Sequence, residues 1–154
     1  MRRNNQALAK SDCCEILQSA TSGVLSVHGE NGYPYGVPIS FVYDNGKIYF
    51  HSALSGHKID SIKNNQKVSF CVIADDNVQP EIFTTLYKSV IIFGNAKIIT
   101  DEAEKERTIL LLAEKYSYGI SPTTELEKYK DKFLMIEITI NEISGKQAKE
   151  LITK

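Results

Sequence analysis

The runs Gly23-Val24-Leu25-Ser26-Val27-His28, Glu30-Asn31-Gly32, 34–43, Asp44-Asn45-Gly46 and Lys47-Ile48-Tyr49-Phe50-His51 follow one another almost without interruption. The first and last alternate between apolar and polar residues or are rich in β-branched and aromatic side chains, the signature of strands. Glu30-Asn31-Gly32 and Asp44-Asn45-Gly46 supply the residues that tight hairpin turns require. The prolines at 34 and 38 place the middle strand near a sheet edge, where a missing N–H costs no ladder bond. The spacing predicts a three-stranded antiparallel meander.

Outward from it, a helix is expected from Ser11 or Asp12 to about Ala20. Asp12 and Glu15 stand at capping-box spacing, and Cys13, Ile16, Leu17 and Ala20 form one apolar stripe. A short helix over 55–64 takes Ser55 as its N-cap and turns Ile59 and Ile62 inward. A strand over 68–73, a polar loop over 74–80 and a β-rich stretch over 84–99 follow, with Gly94 a bulge or bend. The acidic run 100–104 opens another helix, with Ile109, Leu112, Ala113 and Tyr116 on one face. A loop with a short helix fills 121–132, and in the strand 133–140 Leu134, Ile136, Ile138 and Ile140 share a side. The fold expected is mainly β with peripheral helices: a small barrel of about six antiparallel strands, in which few edges stay exposed. No repeat or linker divides residues 1–154, so one domain is expected.

Composition excludes more than it names. Apolar residues at 42% and charged residues at 24% belong to a globular chain. A net charge of −1 supplies no field to attract nucleic acid or an anionic membrane. No apolar run approaches the roughly 18 residues of a membrane span, and no secretory leader is expected. Three cysteines, two of them neighbours, make a poor disulfide framework and point to a reducing cytoplasm. His28, His51 and His57 stand at no recognised metal-ligand spacing with them.

The stretch Tyr49-Phe50-His51-Ser52-Ala53-Leu54-Ser55-Gly56-His57-Lys58 leaves a strand and enters a helix on two cations. Cations are misplaced at a helix N-terminus unless an anion joins them; a phosphate there would meet backbone N–H groups, the Ser52 and Ser55 hydroxyls and Lys58. The plainer alternative is a solvated Lys58 near Asp60, with Ser55 capping the helix. His51 either meets a ligand from the strand end or is an ordinary strand-end histidine. In the run 84–96, Tyr87 and Ser89 share one face and could offer hydrogen bonds to a planar polar ligand. No P-loop, nucleophile elbow, zinc-protease helix or dinucleotide fingerprint is present. A cofactor that carries its own redox chemistry suits so modest a polar inventory.

These stretches together resemble the FMN-binding split-barrel proteins of the pyridoxamine 5′-phosphate oxidase-like superfamily, most closely the branch of the 5-nitroimidazole resistance proteins. The resemblance runs from Met1-Arg2-Arg3 through Gly32-Tyr33-Pro34-Tyr35-Gly36-Val37-Pro38, Tyr49-Phe50-His51-Ser52-Ala53, Gly56-His57-Lys58, Asn64-Asn65-Gln66-Lys67-Val68, Tyr87-Lys88-Ser89-Val90 and Phe93-Gly94-Asn95-Ala96 to Gly145-Lys146. It implies a six-stranded split barrel and a homodimer with FMN at the subunit interface. By the same resemblance Pro38, Ile39, Ser40 and Phe41 run along the flavin, and His51 and Ser52 lie near the ring or ribityl-phosphate. Lys58, next to His57, holds the phosphate, and Ser89 contacts the flavin with Tyr87 nearby. His51 is the catalytic candidate. The activity implied is FMN-dependent reduction of small, electron-poor compounds of the nitroimidazole or nitro-aromatic type. A non-catalytic flavin carrier and a split barrel binding haem or F420 are the alternatives. Members that oxidise pyridoxamine phosphate carry arginine where this chain has His57, and further arginines for the substrate. With only Arg2, Arg3 and Arg107, this chain is a poor candidate for that reaction.

Overall fold

The computed structural model describes residues 4–122, 128 and 131–152. Seven strands form one antiparallel sheet. They are β1 (Ser22–His28), β2 (Pro34–Ser40), β3 (Val42–Asp44), β4 (Lys47–Ser52), β5 (Lys67–Gln79), β6 (Thr84–Ile98) and β7 (Leu134–Gln147). The spatial order is β2-β1-β5-β6-β7-β4-β3. The two ends of that order, β2 and β3, are joined in the chain by Phe41 alone. A sheet whose first and last strands are one residue apart must curl round on itself, which makes it a barrel with a seam at Phe41.

That seam corrects two expectations. The stretch 34–43 is not one strand, so the count is seven rather than six. Nor is it the middle of a continuous meander: its first part pairs with β1 and its last with β4. The break falls where the Phe41 N–H donates to the Tyr116 hydroxyl at 2.8 Å instead of to a neighbouring strand. The turn into β4 is as expected, with Asn45 (φ 47°) and Gly46 (φ 78°) both in the left-handed region of a type I′ hairpin.

The strands β5 and β6 outrun the barrel. The expected polar loop over 74–80 is strand, paired from Asp75 with Lys88 out to Gln79 with Thr84 after an irregularity beyond Ile73. Nearly every residue from Ile73 to Phe83 is exposed, so this hairpin is an arm standing clear of the core. The β6–β7 irregularity lies between Phe93 and Gly94, where a bulge is expected.

Three helices complete the chain: α1 (Lys10–Ser19), α2 (His57–Asn64) and α3 (Glu102–Tyr116). Cys13 and Leu17 from α1 and Ile59 and Ile62 from α2 join Leu25, Phe50, Phe70 and Ile92 in the barrel core. Neither expected side-chain cap forms on these two, whose N-caps are Ala9 and Gly56 rather than Asp12 and Ser55. The third helix packs outside, on β3, β4 and β7, where Leu112 meets Val42, Tyr49, Ile99 and Met135. Its N-cap is Asp101, whose carboxylate accepts from the Glu104 N–H at 2.8 Å. Asp101→Ala should cost about 1 kcal/mol, roughly 2–4 °C in Tm. A calorimetric scan checks this, and an unchanged Tm would show that the cap does not hold the helix. The helix expected within 121–132 lies largely outside the described residues. No helix among the described residues is long and apolar enough to cross a membrane.

Candidate functional site

Residues paired across an antiparallel sheet point to the same face, so the register sorts the candidate residues. Pro38 pairs with Val24, Val24 with Cys71 and Cys71 with Ile91. This row crosses four strands on the outside of the barrel, and Val24 and Ile91 are exposed. The neighbouring outward positions are Ser22 with Ser40, and Ile73 with Ser89 and Lys146. Tyr87 shares the Ser89 face two residues away. Four candidate residues, Pro38, Ser40, Tyr87 and Ser89, therefore lie on one outer surface. Because α3 covers the β3, β4 and β7 side, no helix among the described residues lies over this surface, and Lys146 alone reaches across the Tyr87 ring.

Ile39 and Phe41 face the other way. Both are buried in the core, and the Phe41 ring meets Phe70 edge-on at 5.0 Å. Only their backbone could reach a ligand, and the Phe41 N–H and C=O already bond the Tyr116 hydroxyl. β2 remains an edge strand, with alternate N–H and C=O groups turned away from β1.

The pairing of Val42 with Tyr49 places the end of β2 beside the end of β4 that carries His51 and Ser52. Those two point to opposite faces: His51 is exposed, while Ser52 is buried with Ile48 and Phe50. The chain then turns through Gly56, whose φ of 132° favours glycine, into α2. The start of α2 has no side-chain cap. Among the described residues Lys58 forms no ion pair, as a phosphate ligand and a solvated lysine near Asp60 both require; of the plainer alternative only the Ser55 cap is missing. The His57 ring meets Tyr35 edge-on at 4.5 Å. Tyr35 lies near the start of β2 and Ser40 at its end, about 17 Å apart. The hydroxyl surface and the helix start thus flank the length of one strand rather than a single point.

Two features escape the sequence reading. Glu137 on β7 is buried and receives Lys47 at 3.1 Å and Lys97 at 3.2 Å. Burial works to raise its carboxyl, but the two lysine hydrogen bonds outweigh it and hold the group below its ordinary range. Beneath α3, Arg107 bonds Glu104 and Asp44 and lies over the Tyr49 ring. A lone Glu within an apolar strand is the only sequence signal for the first, and nothing local signals the second.

Two concavities among the described residues lie elsewhere on the same outer surface. A groove of about 530 Å³ is bordered by His28, Tyr33, Lys67, Phe93, Asn95 and Glu142. A shallower recess of about 580 Å³ lies against the arm, between Val78, Phe83, Thr85 and Tyr87. Of the candidate residues only Tyr87 lines either one.

The family model described as Pyridoxamine 5′-phosphate oxidase matches residues 9–147. Among solved structures, a candidate 5-nitroimidazole antibiotic resistance protein from Bacteroides thetaiotaomicron is 20% identical, with a TM-score of 0.79 over 92% of this chain and 86% of that one. A conserved hypothetical protein from Mycobacterium tuberculosis is 16% identical, with a TM-score of 0.84 over 99% and 92%. An FAD and heme binding protein from Mycobacterium smegmatis is 18% identical, with a TM-score of 0.78 over 98% and 77%. Likeness at these identities establishes the fold. No curated protein matches the chain.

Proposed function

The chain belongs to the pyridoxamine 5′-phosphate oxidase family, and from that premise we propose that it binds FMN as a homodimer and reduces small, electron-poor compounds such as nitro-aromatics. The observation that carries the reading is the uncapped start of α2, where Lys58 stands free of any ion pair among the described residues. Backbone N–H groups and an uncommitted ammonium suit a phosphate. The outer surface with Pro38, Ser40, Tyr87 and Ser89 suits a planar ring with polar edges, because hydroxyls and an edge backbone stand beside apolar Val24 and Ile91. Its separation from the helix start suits a ligand with a ring at one end and an anion at the other.

FMN, when bound, supplies the two-electron chemistry. The chain's own part is to hold the phosphate with Lys58 and the α2 N–H groups, and to support the ring with Ser40, Tyr87 and Ser89. His51, exposed at the strand end, orients a substrate and holds a proton on its imidazole. The bare apolar row is the surface for a second subunit. Pyridoxamine phosphate oxidation gains no support, because Arg107 is committed beneath α3. Two resistance- and flavin-linked names among the structural neighbours, the candidate 5-nitroimidazole antibiotic resistance protein and the FAD and heme binding protein, point the same way.

The purified protein should be yellow, or take up FMN with quenching of its fluorescence, and should release FMN on denaturation. It should then consume a nitroimidazole anaerobically when a reductant is supplied. A colourless protein that ignores FMN would sink the reading, a Soret band would replace it with haem, and bound flavin without turnover would leave a carrier.

A further inference from the structure

The arm of β5 and β6 is costly as it stands. Its tip, the turn Pro80–Ile82 followed by Phe83, exposes Ile82 and leaves the Phe83 side chain 97% exposed. Phe83 also sits at φ 52°, a left-handed conformation unusual for an aromatic residue. Val78 adds a further exposed apolar side chain, and Asp75, Asp76 and Glu81 give the arm a negative charge. Among the described residues nothing covers these groups.

The groove at the other end of the same surface combines exposed aromatic rings with a cation. Its lining includes Phe93, 54% exposed, with Tyr33 at the border, and Lys67 supplies a positive charge beside the His28 ring and the carboxylate of Glu142. Tip and groove both lie along β6, one at Phe83 and the other at Phe93 to Asn95, on either side of Ser89. Ser89 stands six positions from Phe83 and six from Asn95. A two-fold axis passing near Ser89 therefore exchanges the tip of one copy with the groove of the other.

We propose that the β5–β6 arm docks in the groove of a second copy of this chain, with Phe83 against the partner's Phe93 and Tyr33 and Glu81 facing the partner's Lys67. The contact is isologous, made twice, and it hides the exposed aromatic groups while pairing opposite charges. It rests on the homodimer part of the functional reading and goes beyond it by naming the element that clasps the partner. The arm then passes over the partner's outer surface beside Ile91, so each clasp also borders the surface assigned to flavin.

Replacing Phe83 by the photo-reactive p-benzoylphenylalanine in a mixture of isotope-labelled and unlabelled chains tests the contact. Expected are label-mixed crosslinks to the partner's groove within 26–34, 67–69 or 93–95. Within one chain Phe83 and Asn95 stand about 40 Å apart along a strand, so such a crosslink can only join two copies. Phe83→Asp, at an exposed position that should not impair folding, should weaken dimerisation about ten- to a hundred-fold by analytical ultracentrifugation. A monomeric native protein, crosslinks elsewhere, or an unchanged dimer in Phe83→Asp would each overturn the arm contact. Flavin uptake measured on the same samples separates the two ideas: a dimer joined through another face that still binds FMN sinks the clasp alone, and a clasped dimer that ignores FMN sinks the functional reading alone.

Discussion

Replacing Lys58 by alanine should weaken FMN binding by roughly ten- to a hundred-and-fifty-fold, the loss of one charge-assisted contact of about 1.5–3 kcal/mol. The expectation follows from what Lys58 does not do. It neither pairs with Asp60 nor meets another carboxylate among the described residues, so its removal leaves no buried charge behind. Thermal stability without flavin should therefore stay close to native, while the dissociation constant measured by quenching of flavin fluorescence rises. Lys58→Glu should go further, because a carboxylate beside the phosphate repels it. Lys58→Arg keeps the charge and should recover most of the affinity. An alanine variant within a factor of two of native would remove the phosphate from the start of α2. His57 offers a useful contrast: its ring packs on Tyr35, so His57→Ala should lower stability as well as affinity.

Why Lys58 could be singled out from sequence, and other features could not, is a matter of range. A cation in the first turn of a predicted helix is a local contradiction, visible within ten residues. The β1–β2 and β3–β4 hairpins are local too, because alternation and the Asn45-Gly46 turn sit beside the strands they join. The arm was invisible because alternation reports burial, and both faces of 74–83 are exposed. Asp75, Asp76 and Asn77 read as a loop by propensity, yet the ladder to 86–88 holds them extended. Caps were mixed for a similar reason: Asp101 closes a helix start, but Asp12 and Ser55 have the right spacing without the backbone entry a cap requires. At the site, residue types were legible and their directions were not. Only the register shows that Pro38 and Ser40 face outward with Ser89 while Ile39 and Phe41 turn into the core.

The break at Phe41 was the least legible feature, because its cause lies 75 residues away, and it supports the largest stability prediction. The Tyr116 hydroxyl accepts the Phe41 N–H at 2.8 Å, and its proton serves the carbonyls of Thr21 at 2.5 Å and Phe41 at 2.8 Å. The adjacent Lys115 donates to the Ala20 carbonyl at 2.6 Å and lies over the Phe41 ring, with burial pushing its ammonium below its ordinary range. The end of α3 thus clamps the entry to β1 and the seam between β2 and β3 together. Tyr116→Phe keeps the ring and removes the hydroxyl, leaving the Phe41 N–H without its partner in a part-buried position. An orphaned donor costs about 1–3 kcal/mol, and the lost bonds to the carbonyls add about 1 kcal/mol. A sum of about 2–4 kcal/mol is a large share of a stability of roughly 5–15 kcal/mol, and for a chain of this size it lowers Tm by about 5–15 °C. Faster amide exchange at Phe41 and Val42 should accompany the loss, because the seam opens before the barrel does. FMN affinity should fall too, since the seam sets Ser40 beside the strand end carrying His51. A Tm within 2 °C of native would mean that the barrel closes without the clamp, and that the break at Phe41 has another cause.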